Sequence, residues 1–444
     1  MSFSTACKKT RLPLPFALCL LPFALCLLPF AFCPLPFALQ RSQHMHPYLT
    51  ADLPGTGGVI KETPEDFVVT ELPLYLPQGD GEHTYAEIEK RGLTTLEAIR
   101  RLSRELGIAE REIGYAGMKD ARGVTRQTLS FPRVEPERLL SAGLPGITVL
   151  SATRHRNKLK VGHLAGNRFS ITVRDVAEDA LEKTTAIAAV LSSRGVPNYF
   201  GLQRYGSLGN SHFIGREIVR GDFRAAVDAL MGNPASIRDS QWRSAVEAYH
   251  RGDLQASLEN FPRHCRTERE IVVRLLKRPE AHEKALESVS PRLRKLYLSA
   301  YQSFLFDRIL EKRIGSIDRL MDGDLAFRHD NGACFLVEDA AAEAERARKL
   351  EISPSGPMFG CKMSVPEGMP RSIELDELNR EGIALDAFNL QGGLRMEGER
   401  RPLRVPLGGM TAAMTGECLQ LSFSLPRGSY ATSVLREIMK EVPA

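Results

Sequence analysis

Ala116-Gly117-Met118-Lys119-Asp120-Ala121-Arg122-Gly123-Val124-Thr125-Arg126-Gln127 is a polar stretch that contains a predicted turn. Residues 113–116 before the turn and 125–131 after it have the composition of β-strands. Asp120 lies within the turn itself. Because a turn aspartate often does no more than hydrogen-bond its own backbone, Asp120 alone does not establish a catalytic site.

Strands and helices are predicted on both sides of this turn without a regular strand–helix–strand order. Further strands are expected near Phe67, at 147–152, at 169–173 and at 419–425. A helix is predicted over 94–106, with its apolar residues on one face and Thr94 or Thr95 as its cap. A last helix is predicted at about 432–440. This irregular order predicts an α+β fold.

The middle of the chain differs from the rest in its residue pattern. Between about 201 and 400, helical and charge-rich stretches dominate, among them 223–231, 281–286 and 293–314. Strand patterns then return near the carboxyl end. At 444 residues the chain is also too long for one small core. Together these features predict a domain inserted into a strand-rich one.

The amino-terminal segment is unusual. Residues 14–39 repeat every seven positions, and basic residues stand ahead of the apolar run. A signal peptide or membrane anchor can begin in this way. However, a proline in every repeat opposes a membrane helix, and no small-residue cleavage site follows. We therefore interpret 1–44 as a disordered or misassigned extension, with translation starting at Met45.

Composition excludes some classes of protein. The net charge is +5, with 43% hydrophobic and 25% charged residues, as in ordinary globular proteins. No C-x-x-C and no H-E-x-x-H occurs, so neither a zinc nor an iron–sulfur site is predicted. The cysteines beyond the extension are scattered, which is typical of reduced thiols in a cytoplasmic protein.

One segment is strongly basic. Residues 154–174 contain six basic residues and no acidic one. The basic residues are Arg154, Arg156, Lys158, Lys160, Arg168 and Arg174. Runs of charge are usually solvated faces, but those normally mix both signs. The segment therefore indicates a track for nucleic-acid phosphates. It contains Phe169, which by itself is more typical of a core strand than of a base-stacking site.

The stretch around Asp120 resembles the A-G-x-K-D-x-x-A-x-T-x-Q signature of the tRNA pseudouridine synthase D (TruD) family. Gly123 stands where that signature usually has alanine. Other blocks resemble the family in its own order, at 61–69, 81–90, 154–169, 195–206 and 425–437. The similarity covers nearly all of the chain beyond the extension. Any one block would be weak, but the set is specific.

The resemblance implies an α+β pseudouridine-synthase fold. Its core would be a mixed, largely antiparallel sheet with flanking helices, built from 45–197 and 400–444. An inserted α/β domain, the TRUD domain of the family, would occupy 198–399. This insertion would be longer than in simple bacterial members, which bears on substrate choice.

The resemblance also implies an activity and a catalytic pair. The chain would isomerise uridine to pseudouridine in tRNA, at uridine 13 of the D-arm, without cofactor, metal or nucleotide. Asp120 would be catalytic, either as a nucleophile or as a base toward the sugar. Lys61 would be its basic partner, holding the pKa of the carboxylate down.

Substrate-binding residues are implied as well. Phe169 would stack on the target base, and Asn167 would orient the loop or the aspartate. The further substrate-binding candidates are Lys119, Arg154, Lys158, Lys160 and Arg204. For Arg204 a hinge role is equally open.

Other classes of protein explain less of the sequence. A non-catalytic RNA-binding protein or RNA chaperone would share the basic segment and Phe169 but would not need Asp120. A methyltransferase would need a glycine-rich nucleotide loop, and the nearest candidate, at 206–209, lacks the G-x-G spacing. No G-K-[ST] follows a glycine-rich loop, which excludes a P-loop enzyme. No membrane association is expected, and the oligomeric state is left open.

Overall fold

The structure is a computed structural model that describes residues 46–119 and 121–440. The repeat extension, the proposed start at Met45, and Asp120 lie outside the described residues, as do 441–444.

The strands of the described residues are, in chain order, β1 (Phe67–Pro73), β2 (His83–Arg91), β3 (Gly114–Tyr115), β4 (Val124–Pro132), β5 (Ile147–His155), β6 (Leu164–Val173), β7 (Val196–Pro197), β8 (Leu325–Arg328), β9 (Cys334–Leu336), β10 (Ile352–Met358), β11 (Glu399–Pro402), β12 (Arg404–Val405), β13 (Gly408–Thr415) and β14 (Cys418–Pro426).

The helices of the same residues are α1 (Thr95–Leu106), α2 (Pro136–Leu140), α3 (Ala180–Arg194), α4 (Ser211–Arg220), α5 (Phe223–Met231), α6 (Ser240–His250), α7 (Leu254–Asn260), α8 (Arg266–Lys277), α9 (His282–Glu287), α10 (Pro291–Arg313), α11 (Ala340–Arg348), α12 (Gly368–Glu381) and α13 (Ala431–Met439).

Within this part of the chain, eight strands form one large sheet in the order β13-β14-β6-β1-β4-β2-β5, with β3 also paired to β4. The β1–β4 pair is parallel, and the other pairs of this sheet are antiparallel. The carboxyl-terminal strands β13 and β14 join strands from the first half of the chain. The predicted mixed, largely antiparallel sheet is therefore confirmed.

The large sheet divides along one edge of β4. Val124 to Arg126 at the start of β4 pair with β1, whereas Leu129 and Ser130 further along pair with β3. Between these two pairings β1 and β3 separate. The loop 116–123, which joins β3 to β4, begins and ends at this separation.

Helices pack against each half of the sheet. Helix α1 begins after Thr94, whose side chain accepts a hydrogen bond from the Glu97 amide, and ends at Gly107 with a positive φ of 68°. Its apolar residues, including Ile99 and Leu102, share a core with β2 and β4. Helices α3 and α13 instead share a core with β6 and β14. The predicted helix 94–106 and its cap are confirmed.

The middle of the chain is helical and carries a second sheet. Helices α4 to α10 succeed one another from Ser211 to Arg313, and a four-stranded antiparallel sheet follows in the order β11-β10-β8-β9. Helix α10 begins with Ser290 as cap and Pro291 in its first turn, a favourable start for a helix. The short pair β7–β12 lies where the chain leaves and re-enters the larger sheet. The α+β class is thus confirmed.

Candidate active site

The loop that carries Asp120 is fixed on both sides of that residue. The backbone amide of Lys119 donates a hydrogen bond to Thr95 Oγ1 at 2.8 Å. The Lys119 ammonium donates to Glu71 Oε2 at 2.9 Å, and both side chains of this ion pair are almost fully buried. Glu71 Oε1 also accepts from the Thr128 amide of β4 at 3.3 Å. The residue before Asp120 is therefore anchored to a helix and to two strands.

Gly123 anchors the other end of the loop. It has a φ of 150°, and a Cβ there would lie 2.4 Å from the backbone oxygen of Phe67. An alanine could not take this conformation without a shift of the loop or of β1. The absence of a side chain at Gly123 thus permits the loop to lie directly against the start of β1.

Lys61 and Phe169 meet at the same residue of β1. The Lys61 ammonium lies 4.2 Å from the centroid of the Phe67 ring, a cation–π distance. The Phe67 ring contacts Phe169 edge-on at 6.3 Å between centroids. Phe67 thus connects Lys61, Phe169 and, through its carbonyl, the Asp120 loop.

Phe169 itself is buried. It is 6% exposed, and its ring also packs at 5.4 Å against Phe423 of β14. Stacking of a base on Phe169 requires one face of the ring to be uncovered, so this role stays a prediction.

Three buried polar atoms near the loop have no hydrogen-bond partner in the described part of the chain. They are Thr125 Oγ1, Gln127 Nε2 and Asn167 Oδ1. The strand register places Asn167 opposite Glu71, and Val69 opposite both Phe169 and Thr125. Buried polar atoms are normally paired, so these atoms are candidates to bind the Asp120 side chain or a substrate.

Asp66 fixes the turn between Lys61 and β1. Its carboxylate accepts from the Thr63 amide at 2.8 Å and from the Arg174 guanidinium, with Arg174 Nη2 at 2.8 Å. The hydrogen bonds from Arg174, helped by the one from Thr63, lower the pKa of Asp66 below its ordinary value. Arg174 of the basic segment therefore supports this turn.

We predict that Asp66→Asn lowers stability at pH 7 by about 1.5 kcal/mol, because an amide cannot accept all of these bonds. The folded pKa of Asp66 is lowered. Its stabilisation is therefore present above the unfolded pKa, about 4, and disappears as the pH falls through the folded pKa. Urea unfolding at several pH values should show the difference between the two proteins shrinking below about pH 4. The exposed pair Asp80–Arg156 provides the control, Asp80→Asn. A pH-independent difference would contradict this account.

The basic segment has acidic neighbours from elsewhere in the chain. Arg154 pairs with Glu135 at 2.5 Å, and Arg156 pairs with Asp80 at 3.0 Å. Lys158 donates to the backbone oxygen of Arg111 at 2.6 Å. Lys160 and Arg168 are exposed. Arg156 is exposed as well. Phosphate binding stays a prediction for Arg154, Lys158 and Lys160.

His163, another residue of this segment, contacts Tyr75. His163 Nδ1 lies 2.7 Å from the Tyr75 hydroxyl. Burial, together with the nearby Lys160 and Arg427, lowers the pKa of His163 below its ordinary value. At neutral pH His163 is therefore uncharged and adds no cation for a phosphate.

Arg204 lies at the beginning of the helical part of the chain and contacts α10. Its Nε donates to Ser303 Oγ at 2.8 Å and its Nη2 to Ser299 Oγ at 2.5 Å. These bonds fit the hinge interpretation, and contact with RNA stays a prediction. Lys119, with its ammonium paired to Glu71, likewise has a protein partner, and its binding to substrate also stays a prediction.

Sequence reasoning missed Glu71 and Gln127 and saw Thr95 only as a possible helix cap. Gln127 is nearly fully buried and its Oε1 accepts a hydrogen bond from Thr95 Oγ1 at 2.9 Å. Thr94 caps the helix, which leaves the Thr95 hydroxyl for the loop. The signal that could have identified Gln127 is its fixed place, seven residues after Asp120, in the family signature.

Neither a metal-ligand group nor a membrane-spanning helix occurs in the described ranges. No three histidine, cysteine, aspartate or glutamate side chains among these residues are grouped so that they could hold a metal ion. None of the helices in the same part of the chain is long and apolar enough to span a membrane.

Comparison with known proteins defines the class. The model of the family described as tRNA pseudouridine synthase D (TruD) matches residues 44–438. The chain therefore belongs to the TruD family of tRNA pseudouridine synthases.

Individual relatives agree with this family. The chain is 63% identical over 396 residues to the tRNA pseudouridine synthase D of Geotalea daltonii, covering 89% of this chain and all of that protein. It is 39% identical over 398 residues to that of Thermus thermophilus, covering 89% of this chain and 92% of the relative. It is also similar to the crystal structure of a putative TruD protein from Methanosarcina mazei, with 29% identity and a TM-score of 0.77. That match covers 89% of this chain and 96% of the other.

Proposed function

We propose that this chain converts uridine 13 in the D-arm of tRNA to pseudouridine, with the carboxylate of Asp120 and without a cofactor. The general class of activity follows from family membership, because a tRNA pseudouridine synthase is an isomerase that acts on RNA. The position in the tRNA and the role of each residue are our proposals.

The main support for this proposal is that the Asp120 loop is held at Lys119 and at Gly123. Lys119 is held by Thr95 and Glu71, and Gly123 lies against Phe67. Catalytic groups need such support, since small displacements from the reactive geometry reduce the rate strongly. Gln127 Nε2 and Asn167 Oδ1, which have no hydrogen-bond partner among the described residues, provide polar groups for the aspartate or for uracil.

The reaction exchanges one bond to the ribose for another. The bond between uracil N1 and ribose C1′ breaks, the uracil rotates, and a bond forms between C5 and C1′. The hydrogen on C5 then leaves as a proton, and N1 gains one. Asp120 assists the first step, as a nucleophile or as a base toward the sugar, and in either role its carboxylate must be ionised.

Lys61 favours that ionised state in our proposal. Its ammonium lies over the ring of Phe67, whose carbonyl contacts the Asp120 loop at Gly123. A cation near a carboxylate lowers the carboxylate's pKa. Phe169 offers a stacking surface for the uracil once its ring is uncovered, and Asn167 offers an amide to the same site.

We also propose a division of the chain, with the middle part as an inserted domain that frames the RNA. The boundaries expected from the sequence are 198 and 399. Because β11 pairs with β10, we place the second boundary slightly later, between β11 and β12. For the cell we propose the cytoplasm, where reduced thiols are the rule; Cys265, Cys334, Cys361 and Cys418 are free.

The proposal is tested with two tRNA transcripts that carry tritium at uridine C5 and differ in having uridine or cytidine at position 13. We expect release of about one tritium per molecule from the first and none above background from the second. Equal release from both transcripts would place the reaction at another uridine. Tight binding of both without release would favour the non-catalytic RNA-binding alternative.

A further inference from the structure

The backbone of the Asp120 loop is connected to the sheet through two side chains. The Lys119 amide donates to Thr95 Oγ1, and the Thr95 hydroxyl in turn donates to Gln127 Oε1, at 2.8 and 2.9 Å. Thr95 is fully buried at the first turn of α1, and Gln127 is almost fully buried in β4. The chain of bonds thus links the residue before Asp120 to a helix and to a central strand.

The directions of these bonds are fixed. A threonine hydroxyl has one proton, and here that proton goes to Gln127, so the hydroxyl oxygen faces the Lys119 amide as an acceptor. Hydrogen bonds in such a chain polarise one another, especially where water is excluded. The Lys119 amide therefore has one preferred position.

Helix capping does not account for the Thr95 hydroxyl. The neighbouring Thr94 already accepts the Glu97 amide at 3.1 Å, as an N-cap residue does. Gln127 likewise does not use its Nε2 within the described residues. Its amide oxygen accepts the hydrogen bond from the Thr95 hydroxyl.

We propose that Thr95 and Gln127 are positioning residues for Asp120, which they hold through the backbone of Lys119. This inference rests on the proposed function of Asp120. Neither residue needs to touch the substrate. Removing the Thr95 hydroxyl would release the Lys119 amide, and a displacement of about 1 Å near a reacting group can lower a rate about a hundredfold.

The test compares Thr95→Val, which keeps the shape without the hydroxyl, with Thr95→Ser, which keeps the hydroxyl. The readouts are the single-turnover rate of tritium release at saturating tRNA and the Kd for tRNA. We expect Thr95→Val to lower the rate about 10- to 100-fold with Kd changed less than about twofold. Thr95→Ser should stay within about threefold of the wild-type rate.

Thr84→Val is the matched control. Thr84 is an equally buried threonine of β2, whose hydroxyl donates to the backbone oxygen of Val134 at 2.5 Å. The Thr84→Val variant loses a comparable buried hydrogen bond away from the Asp120 loop, so its rate of tritium release should stay close to wild type. The double variant Thr95→Val/Gln127→Met should lose less rate than the product of the two single losses, because both residues act in one chain of bonds.

Three outcomes would overturn the inference: a near-wild-type rate for Thr95→Val, an equal loss in Thr84→Val, or no rescue by serine. Failure of the proposed function would look different, because Asp120→Asn would then keep the wild-type rate. If Asp120→Asn is inactive and Thr95→Val is fully active, only the positioning role is wrong.

Discussion

Asp120→Asn is expected to reduce the single-turnover rate of tritium release by about four orders of magnitude or more. An asparagine keeps the size of the side chain but is neither a nucleophile nor a base. Because the loop is held at Lys119 and Gly123, the substitution should leave the fold intact. The rate is measured at saturating tRNA with the transcript that carries uridine at position 13.

Binding and a second aspartate provide the controls. The Kd of Asp120→Asn for tRNA should change less than about threefold, since phosphate contacts dominate the affinity for nucleic acids. Asp376→Asn, on the exposed side of α12, should keep the wild-type rate. A rate for Asp120→Asn within about tenfold of wild type is what the loss of a supporting group would cause. Such a rate would mean that Asp120 is not a catalytic residue.

The sequence identified those elements whose side chains alternate or repeat clearly. The helix 94–106, the strand 125–131 and the helix 223–231 all lie within a few residues of their predicted bounds. Strand β2 is not predicted, although it is an interior strand of the large sheet, paired with β4 on one side and β5 on the other. Its buried residues include Thr84 and Lys90. The Lys90 ammonium donates a hydrogen bond to the Leu93 backbone oxygen at 2.5 Å. Polar residues that point inward hide the alternation on which such a prediction depends.

The site shows a similar limit. Motif resemblance singled out Asp120, Lys61, Asn167 and Phe169, because each lies within a block of the family pattern. It could not find that Glu71 pairs with Lys119, since the two are 48 residues apart. Such a contact depends on the register of β1 and on where the sheet divides. Neither can be predicted from a short stretch of sequence.

The basic segment shows why charge along a sequence and charge in a fold differ. Within 154–174 no acidic residue occurs, which indicates a phosphate track. In the folded chain Asp66, Asp80 and Glu135 reach three of its arginines from other parts of the structure. A binding surface for phosphates therefore has to be inferred from cations that the fold leaves exposed, such as Lys160.

Glu71→Ala is expected to destabilise the protein by about 3 kcal/mol and to slow the reaction at the same time. The substitution leaves the Lys119 ammonium buried without its partner and removes the acceptor of the Thr128 amide. Stability is measured by urea unfolding. The exposed pair Arg133–Glu82, with side chains 77% and 63% exposed, supplies the control. Glu82→Ala should cost less than about 1 kcal/mol.

A second substitution separates the two effects of Glu71. Lys119→Met removes the buried charge, so Glu71→Ala should cost much less in that background than in the wild type. If the double variant regains stability and keeps the wild-type Kd for tRNA but remains slow at saturating tRNA, the Glu71–Lys119 pair positions the loop for catalysis as well as stabilising it. If both stability and rate return, the pair acts on the rate through folding alone. A cost for Glu71→Ala no larger than that of Glu82→Ala would mean that the Lys119 ammonium finds water or another partner, and the pair would then not be what fixes the Asp120 loop.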